Sequence, residues 1–460
     1  SEGQVQNNLL GVFNQSLCLD EATSVVKAST LSFKDLILTF SVGDFHPPLY
    51  YLTLKLWISI FGNSEVSVRS LSVLFSALSV WCLYLIGKKL FNRFVGIASA
   101  GLLATGPLFF YYAHEARMYA MSTFFTILVI LCFVNILQSK KPNIFNWTSF
   151  VAAAVLLIYT DYLPAITLLF CVAFLLLEKK NFQAYKGSWL ISFAAIAVSF
   201  VPWIPIFRQQ LEVGALVKEN APIWWETLGR INLKQIALVP VKFLIGRISF
   251  QDKVVYASIV LLYAFEFGIS AFYSLKKFKE SRFIWLWFSI PLAVALVFGL
   301  IMSGFSYFRL LFLLPPFYLL VAHGLSMSEK SRAGKLYFRI GLNMLAVLIF
   351  IANPRFWRED WKGTVSWLES DSGNANSASI FVTNNQRDPY VYYSKNIPAY
   401  GPDGLNTGNF ERIYLFRYVQ PIFDPQDNVR KTVENAGYIK VEERDFNGVT
   451  VWKYTNESRN

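Results

Sequence analysis

Acidic, imidazole and guanidinium side chains gather in a few short stretches of this 460-residue chain. They are Asp20-Glu21, Asp44-Phe45-His46-Pro47-Pro48, His114-Glu115-Ala116-Arg117 and Tyr307-Phe308-Arg309, with Asp161 standing alone. Carboxylates and imidazoles of this kind can take or give a proton, and a guanidinium pairs with phosphate through a two-pronged set of donors. Each stretch also has a plainer reading. An acidic pair in a loop can simply be solvated, and His46-Pro47-Pro48 can be a rigid turn before a helix. Arg117 can snorkel to lipid headgroups, Asp161 can cap a helix, and Trp224-Trp225 can belong to an interfacial aromatic belt. Arg247 and Lys253 can likewise face headgroups.

The elements that must hold these residues are apolar. The chain is 54% hydrophobic and only 16% charged, with 42 Phe and 23 Tyr, too little charge for a surface that meets water throughout. Apolar runs predict ten membrane spans, at about 69–87, 94–112, 118–138, 146–160, 162–178, 187–206, 254–275, 283–303, 308–326 and 336–352. The sequence opens at Ser1 with no apolar leader before Gln15, as expected of a chain that has lost a first span, which would make eleven.

Charge sorts the loops into two sets. Lys88, Lys89, Lys140, Lys141, Lys179, Lys180, Lys276, Lys277, Arg332 and Lys335 fall in one set, and the stretches named above fall in the other. The basic set is expected to be cytoplasmic. The formal charge of +12 is thus a topology signal, and a nucleic-acid partner is excluded. Three histidines and four scattered cysteines make neither a zinc framework nor a disulfide scaffold.

Three larger pieces then lie on the outer side: residues 1–65, a loop at 207–253, and a polar tail at 353–460. The tail predicts a small α/β domain, with strands at Ser379–Thr383, Arg412–Phe416 and Gly448–Tyr454 and a helix at Asp424–Ala436. The fold class expected is a polytopic α-helical membrane protein: a core over 1–352 and an extracytoplasmic α/β domain over 353–460.

Several motifs occur in a recognisable order: Leu19-Asp20-Glu21-Ala22, His46-Pro47-Pro48-Leu49-Tyr50-Tyr51, the run Glu65–Leu74, and Glu115-Ala116-Arg117-Met118-Tyr119-Ala120. In these the chain resembles the bacterial C-type glycosyltransferase (GT-C) superfamily, and is similar to protein O-mannosyltransferases and the lipid A aminoarabinose transferase. Arg309 before a Leu/Pro-rich span and Glu359-Asp360-Trp361 look like the same family. The resemblance implies a membrane enzyme that uses a polyprenyl-phosphate-linked sugar, with an essential aspartate in its first outer loop, by position Asp20, and Glu21 beside it.

On that reading Asp20 is the base that frees an acceptor hydroxyl, inverting the anomeric centre. Arg117 is the first choice for the donor phosphate and Arg309 the second. His46, His114 and Glu21 orient the acceptor or hold a divalent metal ion, which some members of the superfamily need and others do not. Glu115 is grouped with the two histidines for that orienting role, and it either pairs with Arg117 and holds it in place or simply sits at a span end. The acceptor can be a glycan, a lipid or a protein, and the bacterial plasma membrane, with the site on its outer face, is the expected location. The competing reading is a polyprenyl-lipid or sugar transporter, although neither inverted repeats nor broken helices stand out in the sequence.

Overall fold

The structure is a computed structural model that describes residues 15–220, 223, 231–301, 304–327, 331–394, 396–402 and 410–456. Trp224-Trp225 lie outside the described residues.

Six helices are long and apolar enough to cross a membrane: Glu65–Leu90, Tyr119–Gln138, Lys186–Glu219, Lys253–Lys276, Phe278–Ile301 and Arg332–Ala352. They cover six of the ten expected spans. A seventh expected span, 94–112, is broken by 63° into Arg93–Thr105 and Pro107–Ala113. The break has a local cause. Pro107 brings no N–H to the ladder, and a Cβ on Gly106 would lie 2.5 Å from the Tyr318 hydroxyl.

The remaining three expected spans fall on helices of 10–17 residues, Ile144–Thr160, Pro164–Leu177 and Leu311–Ser326. At 1.5 Å per residue such helices rise less than the roughly 30 Å of hydrocarbon. A further short apolar helix, Leu49–Phe61, lies inside the stretch expected to be an outer loop. The expected loop at 207–253 is also largely helical, through Ile204–Asn220 and Leu233–Ile245.

Small residues let the helices approach. A Cβ on Gly87 would sit 2.8 Å from the Gly96 Cα, and one on Gly324 would fall on the Ser270 carbonyl. Large apolar side chains such as Ile191, Leu300 and Ile301 point outward, at 72–75% exposure, as a lipid-facing surface requires.

After Ala352 the chain builds a five-stranded sheet: β1 Ser377–Phe381, β2 Ala399–Tyr400, β3 Arg412–Phe416, β4 Tyr438–Phe446 and β5 Val449–Asn456. The order is β2-β1-β3-β5-β4, with β1 parallel to β2 and β3, and β5 antiparallel to β3 and β4. The helix Trp361–Ser372 packs Trp361 against Phe416, which stacks on Phe381 at 4.3 Å. The sheet domain sits on the helix Leu19–Thr30 through Lys27 and Asp388 (3.1 Å), and on the entry to Glu65–Leu90 through Lys362 and Glu65 (3.2 Å).

Candidate active site

The acidic pair Asp20-Glu21 opens the helix Leu19–Thr30, where negative charge suits the helix dipole. Its two members have different surroundings. Glu21 is fully buried. It accepts from Arg69 at 2.8 and 2.9 Å in a two-pronged pair, from the Ala116 amide at 2.9 Å and from the Cys18 amide at 3.1 Å. Arg358 approaches it at 3.3 Å. Burial alone would raise this carboxyl, but Arg69 and Arg358 overcome that and hold it below the usual carboxylate range. With its oxygens committed, Glu21 serves as scaffold, in place of the catalytic or acceptor-orienting part expected for it.

Asp20 is exposed, and its carboxylate accepts no hydrogen bond among the described residues. It lies within electrostatic reach of Arg117, Glu115 and Tyr119 of the core and of Tyr418 of the sheet domain. Asp20 therefore faces the place where core and sheet domain meet.

The turn at His114–Met118 separates Glu115 from Arg117, with the Arg117 amide bonded back to the Glu115 carbonyl at 2.8 Å. The expected Glu115–Arg117 pair does not form. Glu115 instead approaches Arg358 at 3.6 Å, and burial, partly offset by Arg358, pushes its carboxyl above the usual range. Arg117 donates to Ser24 Oγ (3.0 Å) and Tyr51 Oη (3.2 Å) and lies 3.7 Å from Asp44. Tyr51 donates to Asp44, and His46 Nδ1 lies 2.9 Å from the same carboxylate. Burial pushes Asp44 upward, but Arg117 and His46 hold it at about 2. His46 is thus engaged by Asp44, Arg117 uses Nη1 for Ser24 and Tyr51 while its Nε stays buried and unbonded, and His114 turns its Nδ1 to the Phe110 carbonyl at 2.8 Å.

Near Tyr111 and Tyr119, Arg309 and Arg247 have no carboxylate partner among the described residues. Arg309 keeps a buried, unbonded Nε and lies near Asp161 and Tyr119. Arg247 is exposed, with its guanidinium 4.5 Å above the Tyr111 ring and within reach of Tyr112 and Tyr307. On the same ring, at 4.4 Å, lies Arg358. Sequence reasoning left Arg247 at the lipid headgroups and did not find Arg69, Arg358 or Asp44 as partners. The signal for Arg69 was its place in the first turns of a helix that otherwise continues apolar.

Among the described residues, no group of three or more His, Cys, Asp or Glu is placed to hold a metal ion. In the nearest pair of suitable type His46 donates from Nδ1 to Asp44, whose carboxylate also accepts from Tyr51, so His46 would meet a metal ion through Nε2.

Comparison with known proteins follows the same lines. Residues 45–206 match the family model "Dolichyl-phosphate-mannose-protein mannosyltransferase". The fold matches ArnT from Cupriavidus metallidurans, solved bound to undecaprenyl phosphate: TM-score 0.62 at 11% identity, over 100% of this chain and 97% of that one. It also matches the arabinofuranosyltransferase AftD from Mycobacteria, at TM-score 0.52 and 14% identity, over 99% of this chain and 39% of that one. A third match is the archaeal oligosaccharyltransferase AglB from Archaeoglobus fulgidus, in complex with an inhibitory peptide and a dolichol-phosphate. Its TM-score is 0.50 at 12% identity, over 98% of this chain and 74% of that one. In fold the chain is similar to these three glycosyltransferases. No curated protein matches it in sequence. With six helices long and apolar enough to cross a membrane, it is an integral membrane protein carrying a small sheet domain after its last long helix.

Proposed function

We propose that this chain is a member of the GT-C superfamily and an inverting glycosyltransferase. It moves a sugar from a polyprenyl-phosphate donor to an acceptor hydroxyl on the extracytoplasmic face. The observation that carries the reading is an exposed, unbonded Asp20 at the same end of the molecule as Arg247 and Arg309, two guanidiniums without carboxylate partners.

The reaction asks for little else. Asp20 takes the proton of the acceptor hydroxyl, whose oxygen forms a bond to the anomeric carbon. The bond from that carbon to the phosphate oxygen breaks on the opposite side, and polyprenyl phosphate departs with the electron pair. A phosphate leaving group needs no proton, so the useful help is positive charge aimed at its developing charge. Arg247 and Arg309 supply this, in place of Arg117, which Asp44 and Tyr51 already engage. Glu21, Arg69, Arg358 and Glu115 form the buried frame that fixes the helix bearing Asp20. The basic loops on the opposite ends of the helices favour an extracytoplasmic site by the positive-inside rule.

The test is to separate donor binding from turnover in the full chain. Arg247→Gln and Arg309→Gln are expected to weaken binding of a polyprenyl-phosphate sugar, whereas Asp20→Asn keeps binding and loses turnover. Unchanged donor binding in both arginine variants, with a loss in Arg117→Gln, would return the phosphate to Arg117.

A further inference from the structure

One buried carboxylate beside the candidate site takes no part in the chemistry proposed so far. Asp161 follows the helix Ile144–Thr160 in extended backbone and is 7% exposed. Its expected part as a helix cap amounts to a single long contact, from the Leu163 amide at 3.4 Å. Among the described residues its carboxylate accepts no other hydrogen bond and joins no ion pair. Burial pushes this carboxyl above its usual range, and His46 and Arg309 offset that only in part. A buried acid so poorly satisfied calls for an explanation.

The chain nevertheless fixes where Asp161 sits. Its neighbour Tyr162 donates to Gln210 Oε1 and accepts from Trp203 Nε1, each at 2.6 Å. Gln210 in turn donates to the Ser41 carbonyl at 2.7 Å and to that of His46 at 3.3 Å. Asp161 is thus tied to the loop that carries Asp44 and His46, within electrostatic reach of His46, Arg309 and Arg117. Both of these guanidiniums keep a buried Nε without a partner. A guanidinium only donates and an ionised carboxylate only accepts, so the ligand that completes both carries an anion and hydroxyl groups together.

We infer that Asp161 recognises the sugar of the donor lipid, its carboxylate accepting from ring hydroxyls while Arg309 holds the phosphate. The inference rests on the donor proposed above for this chain. Sugar and phosphate share one oxygen, so a carboxylate beside a phosphate-binding guanidinium meets the sugar ring itself. A site built to bond a hydroxyl also rejects an analogue that lacks it, because its own buried group is then left unpaired.

The test compares two lipids, a polyprenyl-phosphate hexose and polyprenyl phosphate, for binding to the full chain purified in detergent. Wild type is expected to bind the hexose lipid the more tightly. Asp161→Ala should weaken binding of the hexose lipid about 10–100-fold, as for loss of a hydrogen bond to a charged group, and leave polyprenyl phosphate unweakened. Asp161→Asn keeps the shape and one acceptor, and should fall between the two with an unchanged thermal unfolding midpoint. Hexose lipid bound no more weakly by these folded variants than by wild type overturns the inference. A parallel loss for both lipids also overturns it, because it assigns Asp161 to the phosphate, through Arg309 or through a metal ion on His46. Wild type that binds neither lipid overturns the proposed donor, and this inference with it.

Discussion

Asp20 and Glu21 are neighbours with opposite duties, and their substitutions should separate cleanly. Asp20→Asn removes a base and leaves every observed hydrogen bond in place. Turnover is expected to fall about 10²–10⁴-fold with an unchanged unfolding midpoint. Glu21→Gln leaves Arg69 and Arg358 buried beside a neutral amide, so the same thermal melt should fall by several degrees. Asp44 gives a pH-dependent counterpart. Its folded value of about 2 lies below the ordinary 3.8, so its ion pair stabilises the fold above that ordinary value and is lost as pH falls toward 2. A shift of this size corresponds to about 2 kcal/mol. The difference in midpoint between wild type and Asp44→Asn should therefore be widest near neutral pH and close in acid.

Element by element, the proposed phosphate site depends on a turn. Gly246 has φ +65°, and a Cβ there would lie 2.8 Å from that of Pro107, against the broken helix. Only glycine fits both demands, and Arg247 follows it directly. Gly246→Ala is expected to weaken donor-lipid binding as much as Arg247→Gln does, with Arg247 still present. Equal binding by wild type and Gly246→Ala would detach the turn from the site.

At this scale the sequence could be read where one signal acts alone. Apolar length located the long helices, and the apolar run at Arg412–Phe416 matched β3 residue for residue. Strand β4 was missed because Lys440–Arg444 is a charged run with most side chains exposed at a sheet edge, so no alternation marks it. The break at Gly106-Pro107 was missed because an apolar run does not report its direction. The ion pairs were beyond reach for a different reason: Glu21 meets Arg69, the Ala116 amide and Arg358 only after the whole chain has folded.

Over the whole molecule, Arg358 ties the sheet domain to the helical core. It sits between Glu21 and Glu115 and over Tyr111, and Asn447 at the β4–β5 turn holds its carbonyl at 2.8 Å. Arg358→Met would leave two buried carboxylates short of a cation, a change that costs about 3–5 kcal/mol in comparable sites. Limited proteolysis is expected to cut between core and sheet domain faster in that variant, and equal rates would argue against the tie. Because Asp20 lies within reach of both Tyr119 and Tyr418, loosening this junction should also lower turnover while donor binding persists.

The measurement that bears most directly on the account is sugar release in proteoliposomes. The full-length protein is reconstituted, given a radiolabelled polyprenyl-phosphate hexose, and compared with Asp20→Asn. Label leaving the lipid for acceptor or water in wild type, and at least about 100-fold more slowly in Asp20→Asn, is the predicted result. Equal release by the two proteins, or lipid crossing the bilayer with its sugar still attached, would contradict it.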